Sequence, residues 1–220
     1  MNFQSITLDL DGTLVDSALD LTLACQAMLA DLGEPTVSES EVRGFVGEGM
    51  ANLVSRCLSR SAPTTEHRLG EGVAAFQVNY RQLNGSAAKL YPGVREALDA
   101  WLVAGLPMAC VTNKPIEFTQ VLLEKLDLTR YFTSVVGGDT CEHKKPHPEP
   151  ILFACRAMGV LPTNNLHIGD SRHDIAAARA AGCSAGGVPY GYNGGKPLLP
   201  SECDVFFPLL SDFSRLIDAA

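Results

Sequence analysis

The spacing of apolar and polar residues changes character twice along this 220-residue chain. It opens on Ile6-Thr7-Leu8-Asp9-Leu10-Asp11-Gly12-Thr13-Leu14, where aliphatic and β-branched residues predict a short buried strand whose polar end begins at Asp9. The next stretch is helical in pattern, with no strand interrupting it. Asp16 and Ser17 read as caps of a helix over 18–32, with Ser17 and Asp20 at capping-box spacing and Gly33 as the stop. Ser38-x-x-Glu41 starts a second helix, a third follows Gly47-Glu48-Gly49, and a fourth runs over 65–83 to the turn signal Asn84-Gly85-Ser86. Beyond Tyr91-Pro92-Gly93 helices alternate with short apolar strands: helices over 94–104, 115–126, 148–158 and 171–181, strands over 107–112, 134–137, 166–169 and 184–188, then a last strand–helix pair.

Such alternation predicts an α/β fold, a doubly wound (Rossmann-like) parallel sheet covered on both faces. The expected organisation is an α/β core of residues 1–15 and 86–220, interrupted after its first strand by an all-helical insert, residues 16–85. An insert that leaves directly after that strand sits over the strand's carboxyl end, where a lid belongs.

Composition narrows the partners. A hydrophobic content of 46% is ample for a sizeable core, and a net charge of -8 argues against nucleic acid or an anionic membrane, both of which require clustered Lys and Arg. Seven Cys with no C-x-x-C pair suit buried, reduced thiols. With no basic leader at the start and no membrane-length apolar run, the expectation is a cytoplasmic protein acting on a small, metal-bridged ligand.

Four clusters carry candidate chemistry. Asp9 and Asp11 stand two residues apart at a strand end, so both side chains point to one face, and their mutual repulsion divides them into an ionised nucleophile and a protonated acid. Taken alone, D-x-D-G reads equally well as a capping turn. Thr112 and Asn113 follow an apolar strand and precede Pro115 at a helix start, an anion site or a simple cap. Lys145, fixed in extended backbone before Pro146, is a point-charge partner for phosphate or part of a solvated basic turn. Asp170 ends another strand, where it is placed to share a hard cation with Asp9, and Asp174 stands behind it at capping-box distance from Ser171. Cys141, His143 and His147 have no recognised metal-ligand spacing.

Together D-x-D-G-T, a strand ending in Thr-Asn, Lys-Pro-x-Pro and G-D-x-x-x-D, in this order, resemble the four motifs of the haloacid dehalogenase superfamily, and the helical insert resembles its C1 cap. The likeness extends over Gly12–Ser17, Val111–Pro115, Lys144–Pro148, Gly169–Ser171 and Tyr190–Asn193. It implies a Mg²⁺-dependent phosphatase in which Asp9 attacks phosphorus and Asp11 serves as acid and base. It further implies that Asp9, the Asp11 carbonyl and Asp170 hold the metal, and that Thr112, Asn113 and Lys145 hold the phosphoryl oxygens. The implied substrate is a small phosphorylated metabolite, 2-phosphoglycolate, whose carboxylate needs a donor such as Arg43 or the amides around Gly47 and Gly49. If Glu48 faces inward, a sugar phosphate such as an amino-sugar 6-phosphate becomes the alternative. A phosphomutase of the same superfamily is the other chemical rival. A receiver-type signalling domain shares the residue types, but its Lys comes last in the chain.

Overall fold

The computed structural model describes residues 3–193 and 196–216. The first strand, β1 (Ser5–Leu8), ends just before Asp9 and is followed by β2 (Val15–Asp16) and four helices: α1 (Ala18–Asp31), α2 (Glu39–Phe45), α3 (Met50–Leu58) and α4 (Glu66–Leu83). Then come β3 (Lys89–Leu90), α5 (Val94–Val103), β4 (Met108–Val111), α6 (Ile116–Lys125), β5 (Ser134–Val136), α7 (Glu149–Met158), β6 (Asn165–Gly169), α8 (Arg172–Ala181), β7 (Ser184–Gly187) and β8 (Val205–Phe206). The helix of the last expected pair is a 3-10 helix, Leu210–Leu216.

Six strands form one sheet in the order β5-β4-β1-β6-β7-β8, with every neighbouring pair parallel. Side chains alternate faces along a strand, and β4 shows the outcome. Met108 and Cys110 join a core with Trp101, Leu98 and Tyr131, while Ala109 and Val111 join a second core with Ile151, Ala154 and Ala178. The doubly wound architecture expected from the alternation is therefore present, with both faces covered. A third cluster, containing Met28, Leu29, Val42, Val54, Leu58 and Phe76, binds the four helices of residues 18–83 to one another, and Phe118 and Tyr192 from the sheet-bearing part reach into it.

Two local expectations are corrected. Ser17 precedes α1 but makes no capping bond with its side chain; its hydroxyl donates to Asp11, and Asp20 accepts from the main-chain N–H groups of Gly85 and Ala87, each at 2.8 Å. Both side chains are fully buried, where an unpartnered polar group is costly, so each takes the partner that folding brings to it rather than its sequence neighbour. The sequence also gave no sign of the ribbon in which β2 pairs antiparallel with β3, joining the two connections of the helical insert. Two-residue strands are too short to produce a period.

Candidate active site

The carboxyl ends of β1, β4 and β6 open onto one cleft enclosing about 690 Å³ of empty space, part of it open to solvent. Asp9, Asp11, Thr112, Asn113, Lys145, Asp170 and Asp174 all line it, together with Gly47 and Gly49 from the loop between α2 and α3. Ligands collect beyond strand carboxyl ends in open α/β sheets, and each of these strands turns polar where its apolar run stops. Gly12, at φ +94°, lets the chain fold back against Asp170, and a Cβ there would lie 2.6 Å from Asp170 Oδ2. Gly191 is equally confined: a Cβ would lie 2.2 Å from the same oxygen. That close approach aims the N–H groups of Tyr192 and Asn193 at Asp170 Oδ2, at 2.7 and 2.9 Å.

Lys145 is the hub. Its ammonium lies 2.7 Å from Asp9 Oδ1, 2.7 Å from Asp174 Oδ1 and 2.6 Å from the Val111 carbonyl, so all three N–H groups are committed. Burial pushes the Asp9 carboxyl up to about 8; Lys145 opposes the shift, and the negative charges of Asp174 and Asp170 add to it. Asp170 is raised to about 6, again by burial first and then by Asp174. Burial also works against ionised Asp174, yet Lys145 and His167 hold that carboxyl well below the usual range. The Asp11 carboxylate is taken up by the Ser17 hydroxyl and by Lys114, at 3.0 and 3.1 Å. Asp9 and Asp11 thus each have a cationic partner of their own, Lys145 and Lys114.

Carboxylate oxygens of Asp9, Asp170 and Asp174 lie within 4.8 Å of one another. When all three are ionised, these carboxylates exceed the one ammonium by two negative charges, which a hard divalent cation offsets, and oxygen-only donors suit Mg²⁺. Asp174 is the member already saturated by others: besides Lys145 and His167 it accepts from the Ser171 N–H and hydroxyl in a capping box. Asp9 and Asp170 have the freer oxygens.

Beneath this cluster runs a buried polar string that the sequence reading missed. Ser5 Oγ donates to Asn165 Oδ1 (2.8 Å) and Asn165 Nδ2 to Thr7 Oγ1 (2.9 Å). Thr7 Oγ1 lies 3.0 Å from His167 Nδ1, and His167 Nε2 lies 3.3 Å from Asp174 Oδ1. Ionised Asp174 can only accept, so His167 Nε2 carries the proton; burial lowers the His167 pKa and keeps the ring neutral, so Nδ1 is the acceptor and the Thr7 hydroxyl donates to it. The alternating Ser-Ile-Thr-Leu and Asn-Leu-His-Ile of β1 and β6 were the available signal.

Other expected residues lie differently. Arg43 does not line the cleft: its guanidinium is held by Asp16 (2.8 Å) and Glu39 (2.9 Å) over the Tyr192 ring. Glu48 also stays out, its carboxylate bound by Arg56 and Asn52. Asn113 spends its amide nitrogen on two carbonyls, Gly47 and Lys145, so what it offers an anion is its main-chain N–H. His143, His147 and Glu149 gather at the surface, where Glu149 pairs with His143 and the two rings stack; Cys141 is not among them. All seven cysteines are free, and among the described residues no helix is long and apolar enough to cross a membrane.

A parallel sheet with an acid-bearing cleft at its strand ends and four helices packed beside it is a doubly wound α/β protein with its candidate site at the strand carboxyl ends. Residues 6–188 match the family model of haloacid dehalogenase-like hydrolases, and the chain belongs to that family. Two similar curated proteins are phosphoglycolate phosphatases, from Thiobacillus denitrificans (38% identical, covering 99% of this chain and 96% of that protein) and from Vibrio parahaemolyticus (39%, covering 96% and 95%). Among solved structures, a predicted phosphoglycolate phosphatase from Haemophilus somnus superposes with a TM-score of 0.91 at 34% identity over 98% of both chains. The chain is a phosphoric monoester hydrolase of this family.

Proposed function

We propose that this hydrolase is a Mg²⁺-dependent phosphatase that cleaves 2-phosphoglycolate through an aspartyl phosphate on Asp9. The observation that supports it above others is the Asp9–Lys145–Asp174 cluster beside Asp170: a nucleophile-bearing strand end, a fixed ammonium and a two-charge surplus of carboxylate in one cleft. The names of the similar proteins supply the substrate.

Asp9 and Asp170, with the Asp11 carbonyl, would hold the cation, which supplies charge neutralisation between carboxylate and phosphate. The free oxygen of Asp9 attacks phosphorus as the bond to the ester oxygen breaks, and Asp11 gives that oxygen its proton. Water then attacks the phosphoryl group, Asp11 takes the proton back, the bond to Asp9 breaks and inorganic phosphate leaves. Lys145, the Thr112 hydroxyl and the Asn113 N–H stabilise the phosphoryl oxygens, and Asp174 keeps Lys145 aimed. Residues 16–85 act as a cap on a core of 1–15 and 86–220, closing the cleft against water through the Gly47–Gly49 loop. Seven unpaired thiols suit the reducing cytoplasm.

Glu48 bears on the rival substrate. A sugar phosphate would need it as an acceptor for hydroxyls, whereas it is engaged by Arg56 and Asn52 outside the cleft. The test is kcat/KM for 2-phosphoglycolate and a panel of sugar phosphates at equal Mg²⁺. Preference for phosphoglycolate is expected; a sugar phosphate favoured by about tenfold, roughly 1.4 kcal/mol of transition-state stabilisation, overturns the assignment.

A further inference from the structure

The cleft contains a second buried ammonium with no part in the steps above. Lys114, its side chain 5% exposed, reaches both carboxylate oxygens of Asp11 and, at 2.6 Å, the hydroxyl of Tyr80 on α4. Lys145 has three acceptors for its three N–H groups. Lys114 also has three acceptor atoms, but two belong to one carboxylate, and a carboxylate gripped almost symmetrically can share one N–H, leaving another for a ligand. The Tyr80 oxygen accepts a hydrogen bond from Lys114, and its own O–H has no acceptor among the described residues; burial, its largest influence, raises its pKa and keeps that proton in place. A cation N–H and a neutral O–H thus stand side by side, both on residues that line the cleft.

Their position matters as much as their chemistry. Asp11 is the group that protonates the leaving oxygen, and in 2-phosphoglycolate the carboxyl carbon is two covalent bonds from that oxygen. A donor pair anchored on Asp11 through Lys114 is where such a carboxylate falls. Farther into the helices the wall consists of Leu21, Val46, Met50, Leu53 and Phe76, which offer a sugar no hydrogen-bonding side chain. With Arg43 and Glu48 both held outside, no other ammonium or guanidinium among the described cleft residues remains to receive an acid group.

We infer that Lys114 and Tyr80 form the carboxylate subsite of this enzyme, Lys114 pairing with one carboxylate oxygen and the Tyr80 hydroxyl donating to the other, so that selection for an α-carboxylate is built across core and α4. The inference rests on the phosphoglycolate reading, and the test separates the two. Compare kcat/KM for 2-phosphoglycolate with that for ethyl phosphate, which lacks the carboxylate, in the unaltered enzyme, Lys114→Met, Tyr80→Phe and His173→Asn, the last because His173 also lines the cleft. The unaltered enzyme should prefer phosphoglycolate; if it does not, the substrate reading fails. Lys114→Met should reduce that preference by roughly tenfold or more, the scale of one charge-assisted hydrogen bond. Tyr80→Phe should reduce it less, mainly through a higher KM for phosphoglycolate alone. A preference that survives in both, or that is lost in His173→Asn instead, overturns the subsite while leaving the phosphatase intact. Tyr80→Phe decides the matter if Lys114→Met does not fold.

Discussion

Asn113 donates through one amide nitrogen to the carbonyls of Gly47 and Lys145, each at 2.9 Å, so a single side chain ties the loop between α2 and α3 to the loop that carries Lys145. Its Oδ1 is buried without a partner among the described residues. The bridge makes the approach of the helical insert to the sheet depend on a residue that itself lines the cleft.

Asn113→Ala removes both bonds and should destabilise the protein by about 1–3 kcal/mol. Hydrogen exchange at Val46–Gly49 should accelerate more than exchange in β4. Unchanged protection of that loop would show that the bridge does not hold it.

Asp9→Asn should abolish turnover while the fold persists, because an amide is a poor nucleophile and the neighbouring Lys145 retains Asp174 and the Val111 carbonyl. Asp11→Asn should be severely impaired, least for esters whose leaving groups need no proton. Rapid hydrolysis of an alkyl phosphate by Asp9→Asn would exclude the covalent mechanism.

Asp170→Ala and Asp174→Ala should separate metal from scaffold. The first removes a carboxylate that faces the cleft and should raise the Mg²⁺ concentration needed for half-maximal rate. The second leaves Lys145 short of one buried partner and breaks the Ser171 capping box, costing about 3–5 kcal/mol of stability. Titration of activity with Mg²⁺ alongside urea unfolding reads both, and the opposite pattern would exchange their roles.

Protons and cation compete for Asp9 and Asp170, whose carboxyls are raised to about 8 and about 6. A proton bound to either must leave before the cation coordinates, so Mg²⁺ affinity should fall as pH drops below about 8 and fall again below about 6. Calorimetric titration in two buffers of different ionisation enthalpy should detect proton release at pH 7. An affinity that does not vary between pH 6 and 8 would contradict the raised values.

The sequence by itself determined the layered α/β fold and much of the cleft, because both follow from local patterns. Apolar runs ending in Asp9, Thr112 and Asp170 mark strand ends, parallel strands bring those ends to one edge, and Gly12 can turn where a Cβ would strike Asp170. Only tertiary structure decided which partner each buried polar group takes. Ser17 and Asp20 looked like a capping box, yet one serves Asp11 and the other the Gly85 and Ala87 amides. Arg43 looked like a ligand for substrate, yet Asp16 and Glu39 hold it. Lys114 drew no role from its neighbours, and acquires one from Asp11, 103 positions away, and Tyr80, 34 positions away. Likewise the Thr7–His167 bond exists because β1 and β6 pair in the register that sets those residues opposite each other. Burial obliges every such group to find a partner, but its identity depends on which distant segments folding brings within about 3 Å, and no local period encodes that.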